Sequence, residues 1–106
     1  MTVDEIYELV ATNIYENIDT DEWEKAVLNI HGDDTAMGIN GFYISNGESH
    51  NLAVNKFDME VEFALMELHE ITTEDGSNQW NKAVFTLIPD GEFNLDFEYD
   101  PSLDEE

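Results

Sequence analysis

Two turn signals constrain this chain more than any other feature. Asn46-Gly47 and Pro89-Asp90-Gly91 each sit between runs of strand-like residues. Asn and Gly both tolerate positive φ, so the first pair is hairpin chemistry, and the second triplet is a tight turn. Strands joined this closely run antiparallel. The first signal divides Gly38 to Ile44 from a short, weaker run at Asn51 to Asn55, and the second divides Asn81 to Ile88 from Glu92 to Tyr99. Another strand is expected at Lys25 to His31, where Ala26, Leu28 and Ile30 alternate, with Gly32-Asp33-Asp34 turning the chain afterwards. Gly38 to Ile44 is apolar on both faces, as suits a central strand.

Helical periodicity frames these strands. Thr2-Val3-Asp4-Glu5 has capping-box spacing. Val3, Ile6, Val10 and Ile14, joined by Tyr7 and Ile18, then fall on one side of a helix running to about Ile18. A second helix is expected from Asp58 to about Thr73, with Phe57, Val61, Ala64, Leu65 and Leu68 toward the sheet. Glu60, Glu67 and Glu74 recur every seven residues and form an acidic stripe with Glu70. Beyond that stripe lie Met59, Phe63 and Met66, a second apolar strip at i, i+4 and i+7. The plainer expectation is that this strip packs on the first helix. The other is an exposed patch for a partner beside carboxylates.

The order α-β-β-(β)-α-β-β, with hairpins in place of helical crossovers, predicts an α+β domain. Two helices should pack on one face of an antiparallel β-sheet of four to five strands. The domain should span residues 1–100, followed by an acidic flexible tail at 101–106. Trp23-Glu24-Lys25-Ala26-Val27 and Trp80-Asn81-Lys82-Ala83-Val84 share Trp-x-Lys-Ala-Val, and each Trp is expected to anchor the core at a sheet end.

Charge narrows the partners. Twenty-six Asp and Glu face three Lys and no Arg, a formal net charge of −23. Such a charge opposes compaction, speeds encounter with basic partners and repels nucleic acid and anionic membrane. An apolar share of 42%, with six Phe, four Tyr and two Trp, separates the chain from disordered acidic tails. The lack of Cys excludes a disulfide framework and thiol catalysis and fits a reducing cytosol. The acidic N-terminus has no secretory pattern, and no apolar run nears the roughly 20 residues of a bilayer span. These features predict a cytoplasmic globular protein.

The last strand concentrates the acidity. Phe93, Leu95, Phe97 and Tyr99 alternate with Glu92, Asn94, Asp96, Glu98 and Asp100. Side chains two apart project the same way at about 6.6–6.8 Å, comparable to successive phosphates of an extended nucleic-acid strand. An ordinary solvent face accounts for the pattern, but four carboxylates in five outward positions exceed what solubility needs, since like-charged neighbours cost stability.

Catalytic patterns are weak. His31, His50 and His69 lie in separate elements without metalloprotease spacing, and Leu68-His69-Glu70 places its His and Glu in diverging directions on a helix. With 26 acids, some carboxylate pair will stand at any chosen distance, which empties a glycosidase-like reading. Asp96-x-Glu98-x-Asp100 and Asp33-Asp34 lack the Gly and Glu of a calcium loop. No Walker or Rossmann glycine pattern occurs. No enzyme activity, cofactor or metal is expected.

At Trp23-Glu24-Lys25, Leu65-Met66-Glu67-Leu68-His69-Glu70, Trp80-Asn81 and Asp90-Gly91-Glu92-Phe93-Asn94-Leu95-Asp96-Phe97-Glu98-Tyr99-Asp100, the chain resembles the YezG-like family. These are small acidic antitoxins, or immunity proteins, of bacterial polymorphic toxin systems. The resemblance covers most of the chain in order and departs from longer members in its short loop before Trp80 and the little that follows Asp100. It implies a non-enzymatic protein that binds a cognate toxin domain, often a nuclease, and protects the producing cell. No contact residue follows from it. Charge geometry supplies the expected contacts: Glu92, Asp96, Glu98 and Asp100 on the last strand, with Glu60, Glu67, Glu70, Met59, Phe63 and Met66 on the second helix. The alternatives are an acidic nucleic-acid mimic regulating a host DNA-binding protein, and a halophile-type acidic domain.

Overall fold

A computed structural model describes residues 1–33, 35–74, 76 and 79–101. The elements are α1 (Val3–Glu16), β1 (Trp23–Gly32), β2 (Met37–Ser45), β3 (Glu48–Asn51), a 3-10 turn (Val54–Lys56), α2 (Glu60–Thr73), β4 (Lys82–Leu87) and β5 (Phe93–Glu98). The five strands form one antiparallel sheet in the order β3-β2-β1-β4-β5. This is the expected α+β architecture. Asp34, Asp75, Ser77, Asn78 and the expected tail at 102–106 lie outside the described residues.

Local chemistry starts and stops the elements. Thr2 Oγ1 accepts from the Glu5 amide at 3.2 Å while Glu5 Oε1 accepts from the Thr2 amide at 2.9 Å, the reciprocal capping box. Asn46 and Gly47 take φ of 52° and 77° and reverse the chain, so Ser45 pairs at once with Glu48. That tight reversal moves the third strand forward from the expected Asn51–Asn55 to Glu48–Asn51, and Val54–Lys56 closes as a 3-10 turn instead. After β1, the Asp33 carboxylate gathers the Thr35 hydroxyl and the Thr35 and Ala36 amides, which together hold its pKa below the ordinary value.

One face of the sheet carries both helices. Ala26, Leu28 and Ile30 of β1 and Ala83, Phe85 and Leu87 of β4 meet Ile6, Val10 and Ile14 of α1 and Val61, Ala64, Leu65 and Leu68 of α2. Burial of these side chains drives folding against the charge. The helices lie antiparallel: Met1 reaches Glu67, while the buried Asn13 side chain accepts from the Asp58 amide at 2.8 Å. That second contact supplies an acceptor for a backbone donor just before α2, where Met59 makes no side-chain cap.

Both tryptophans anchor the core, at 8% and 2% exposure. The shared Trp-x-Lys-Ala-Val pieces lie at opposite ends of the antiparallel β1/β4 pair, which places Ala26 and Ala83 in the core and Lys25, Val27, Lys82 and Val84 on the opposite face. A bulge between Trp23 and Lys25 turns Trp23 back to the helix side, where it meets Tyr15 edge-on at 5.6 Å. Trp80 packs on Phe97 at 4.8 Å and on His69 at 4.7 Å.

Candidate partner-binding surface

The second helix carries two apolar rows, and only one is consumed by the core. Val61, Ala64, Leu65 and Leu68 are buried, and Phe57 is partly buried against them. Of the other row, Met66 is packed against the core, but Met59 is 78% and Phe63 62% exposed. The expectation that this strip packs on the first helix therefore fails for two of its three members. The two helices meet near Asn13–Asp58 and Met1–Glu67, and the Met59–Phe63 flank lies outside that seam.

A groove of about 220 Å³ runs beside these two side chains, floored by Ile39, Val54 and Phe57 and edged by Asp58 and Glu62. Glu60 and Glu62 occupy the first turn of α2, where the helix dipole favours carboxylates. Glu60 and Glu70 are exposed. Glu67 is engaged: its Oε1 lies 2.9 Å from the Met1 ammonium, and hydrogen bonding to that carboxylate raises the ammonium pKa. The result is an apolar slot with carboxylates at its mouth. Such a slot suits a Lys or Arg side chain, whose stem is apolar and whose head is cationic.

The last strand offers less than its sequence pattern suggests. Leu95 and Phe97 pack against the core, so Asp96 and Glu98 project from the opposite face, away from the helices. Asp96 accepts from the Asn94 side chain at 3.0 Å, and Glu98 pairs with Lys82 at 3.7 Å. Glu92 precedes the strand, and its amide is bonded to Asp90. Asp100 follows the strand and is partly buried, its backbone pinned by the Asn81 side chain through two bonds of 2.7 Å. The row thus shortens to Asp96 and Glu98 within β5. It does not join the α2 stripe, because the two lie on opposite sides of the sheet.

A second groove, of about 440 Å³, lies between α1 and the β4–β5 hairpin with Asp4, Glu8, Tyr7 and Phe93 in its walls. Phe93 is half exposed but already stacks on Phe85 at 5.2 Å and touches Tyr7 at 5.3 Å. Its ring is part of the packing, whereas Met59 and Phe63 stand free of the core.

The histidines fall in three places. His50 stacks on Tyr43, and His31 lies over Gly38, where a Cβ would come within 2.4 Å of its Nε2. His69 is buried, with Nε2 at 2.7 Å from the Trp80 carbonyl oxygen and Nδ1 without a partner. With Trp80 Nε1 donating to Thr72, it ties the end of α2 to the start of β4. Among the described residues no group of three His, Asp or Glu converges to hold a metal ion, and no helix is long and apolar enough to cross a membrane.

Sequence reasoning reached Met59, Phe63 and the α2 carboxylates but missed Asp58, Glu62 and the groove floor. Ile39 comes from β2, so only the fold brings it to this flank, while Val54 lies in the 3-10 turn just before the helix. In comparison with known proteins, the chain matches no protein-family model and no curated protein sequence.

Proposed function

We propose that this protein is a non-enzymatic inhibitor, an immunity protein that captures and neutralises a basic toxin domain of nuclease type. The observation that carries this reading is the pair Met59 and Phe63, largely solvent-exposed beside an acid-edged groove on a chain of net charge −23. Large apolar side chains left in water mark interaction sites when they are grouped. Here they provide the desolvated centre that tight binding requires, and the surrounding carboxylates provide steering. Association with a basic partner can then reach the order of 10⁸–10⁹ M⁻¹s⁻¹ at low salt. An inhibitor that must intercept each toxin molecule before it acts benefits from that speed.

The resemblance to YezG-like immunity proteins supports the same reading through the Trp-Glu-Lys, Leu-Met-Glu-Leu-His-Glu and closing-strand motifs. Phosphate mimicry along β5 has less support, because the row is short and Glu98 already has a lysine. The test is direct. The toxin domain encoded by the adjacent reading frame should bind the purified chain and lose its activity, and Phe63→Ala should weaken that binding. A toxin that stays active in excess inhibitor would overturn the proposal.

A further inference from the structure

Asp58 and Glu62 stand at the edge of the groove beside Met59 and Phe63, and both are exposed. Among the described residues neither carboxylate makes a hydrogen bond or an ion pair. Lys56, the nearest lysine in sequence, is no part of the groove wall and pairs with neither of them. The N-terminus of α2 carries only about half a positive charge, which two carboxylates outweigh. The backbone of Asp58 is fixed on both sides. Its amide donates to Asn13 at 2.8 Å, and its carbonyl accepts from the Val61 amide at 3.0 Å. The charge at the mouth is therefore held in place before any partner arrives.

Below that mouth the groove is apolar and small. Ile39 lies opposite the core residue Ile30 in the β1–β2 register, so the floor belongs to the helix side of the sheet. A volume of about 220 Å³ falls short of the roughly 300–1,000 Å³ of small-molecule pockets. It suits one long side chain.

We infer that this groove receives a single arginine of the basic partner, its stem on the apolar floor and its guanidinium between Asp58 and Glu62. The inference rests on the inhibitor reading above and names the group that this surface recognises. Lysine fits less well, because its ammonium is a compact, strongly hydrated point charge that stays in water. A guanidinium is planar, more weakly hydrated, and has donors enough for two carboxylates at once. It also stacks on aromatic rings, and Phe63 offers one that is 62% exposed. A second copy cannot be the source, since the chain has no Arg. Covered by the partner, Asp58 and Glu62 hold the complex together, whereas Glu60 and Glu70 stay in water and only steer.

Two double variants that remove equal charge test this. With the toxin domain from the adjacent reading frame, Asp58→Asn with Glu62→Gln should speed dissociation at least about thirtyfold and change association less than about threefold. Glu60→Gln with Glu70→Gln should slow association and leave dissociation unchanged, and circular dichroism checks that both variants fold. Small probes read the groove without any toxin. N-acetyl-arginine amide, titrated into the full chain, should shift the Met59 methyl and Phe63 ring resonances more than N-acetyl-lysine amide does. The Asp58→Asn, Glu62→Gln chain should lose that difference. A toxin that is bound and neutralised, with both double variants dissociating alike, overturns the inference and leaves the inhibitor reading standing. A lysine amide that matches the arginine amide overturns the choice of arginine. A toxin that never binds the wild-type chain overturns the inhibitor reading itself, and the inference with it.

Discussion

The outer flank of α2 and the strand β5 both alternate apolar and acidic rows, yet they present different surfaces. On β5 the apolar residues Leu95 and Phe97 turn inward, so the polar residues Asn94, Asp96 and Glu98 are left outside. On α2 the inward row is complete with Val61, Ala64, Leu65 and Leu68, so Met59 and Phe63 are surplus to the core. The difference is one of partition. β5 commits its apolar residues to one of its two faces, whereas α2 has room for a second apolar row on its flank. Carboxylates alone can steer a partner, and carboxylates around an apolar anchor can also hold it.

The strongest way to break this comparison is to truncate both rows of α2. Leu65→Ala, in the inward row, should cost about 2–5 kcal/mol of stability by urea unfolding. Phe63→Ala, in the outward row, should change stability by no more than about 0.5 kcal/mol. A loss above about 1.5 kcal/mol at Phe63 would place its ring in the core and remove the distinction.

Thr2→Ala removes the cap of α1 and should cost about 0.5–2 kcal/mol, with helix content falling by circular dichroism. On β5, reversing Asp96 and Glu98 to Lys should slow association with the toxin domain by about tenfold and flatten its salt dependence, leaving dissociation almost unchanged. Stopped-flow mixing at two salt concentrations separates these effects. A large rise in the dissociation rate would make β5 the anchor instead of α2.

The smallest effects lie in the pH dependence. Glu5 and Asp33 have folded pKa values below their ordinary ones, Glu5 through its bonds to the Thr2 amide and hydroxyl and Asp33 through Thr35 and Ala36. Their stabilisation is present above the ordinary carboxylate values and is lost as pH falls through the depressed folded values. The Met1 ammonium behaves oppositely. Its pKa is raised from an ordinary 8.0, so its contribution is present below that value and disappears as pH rises through the folded one. Urea midpoints should fall as pH rises through the Met1 titration, and Glu67→Gln should remove that fall, while Glu5→Gln should remove the contribution lost on the acid side.

Much of the fold was legible because it rests on local chemistry. Thr2 with Glu5 marked the start of α1, the spacing of Ile6, Val10 and Ile14 marked its inner face, and Asn46-Gly47 marked the hairpin. β3 was misplaced because Glu48, Ser49, His50 and Asn51 are polar and exposed, so hydrophobic alternation carries no signal there. Asn13 was silent because its partner, the Asp58 amide, is 45 residues away. The α2 patch was half legible. Periodicity revealed the second row of Met59, Phe63 and Met66, but whether α1 covers it depends on how the helices cross.

The central claim is that α2 anchors a basic partner through Met59 and Phe63. Surface-immobilised toxin domain from the adjacent reading frame, probed with wild-type chain and Phe63→Ala at two salt concentrations, tests it most directly. The account predicts an affinity loss of about 2 kcal/mol, near thirtyfold, carried by faster dissociation at both salts with association preserved. Equal affinity and equal rates for the two proteins would contradict it.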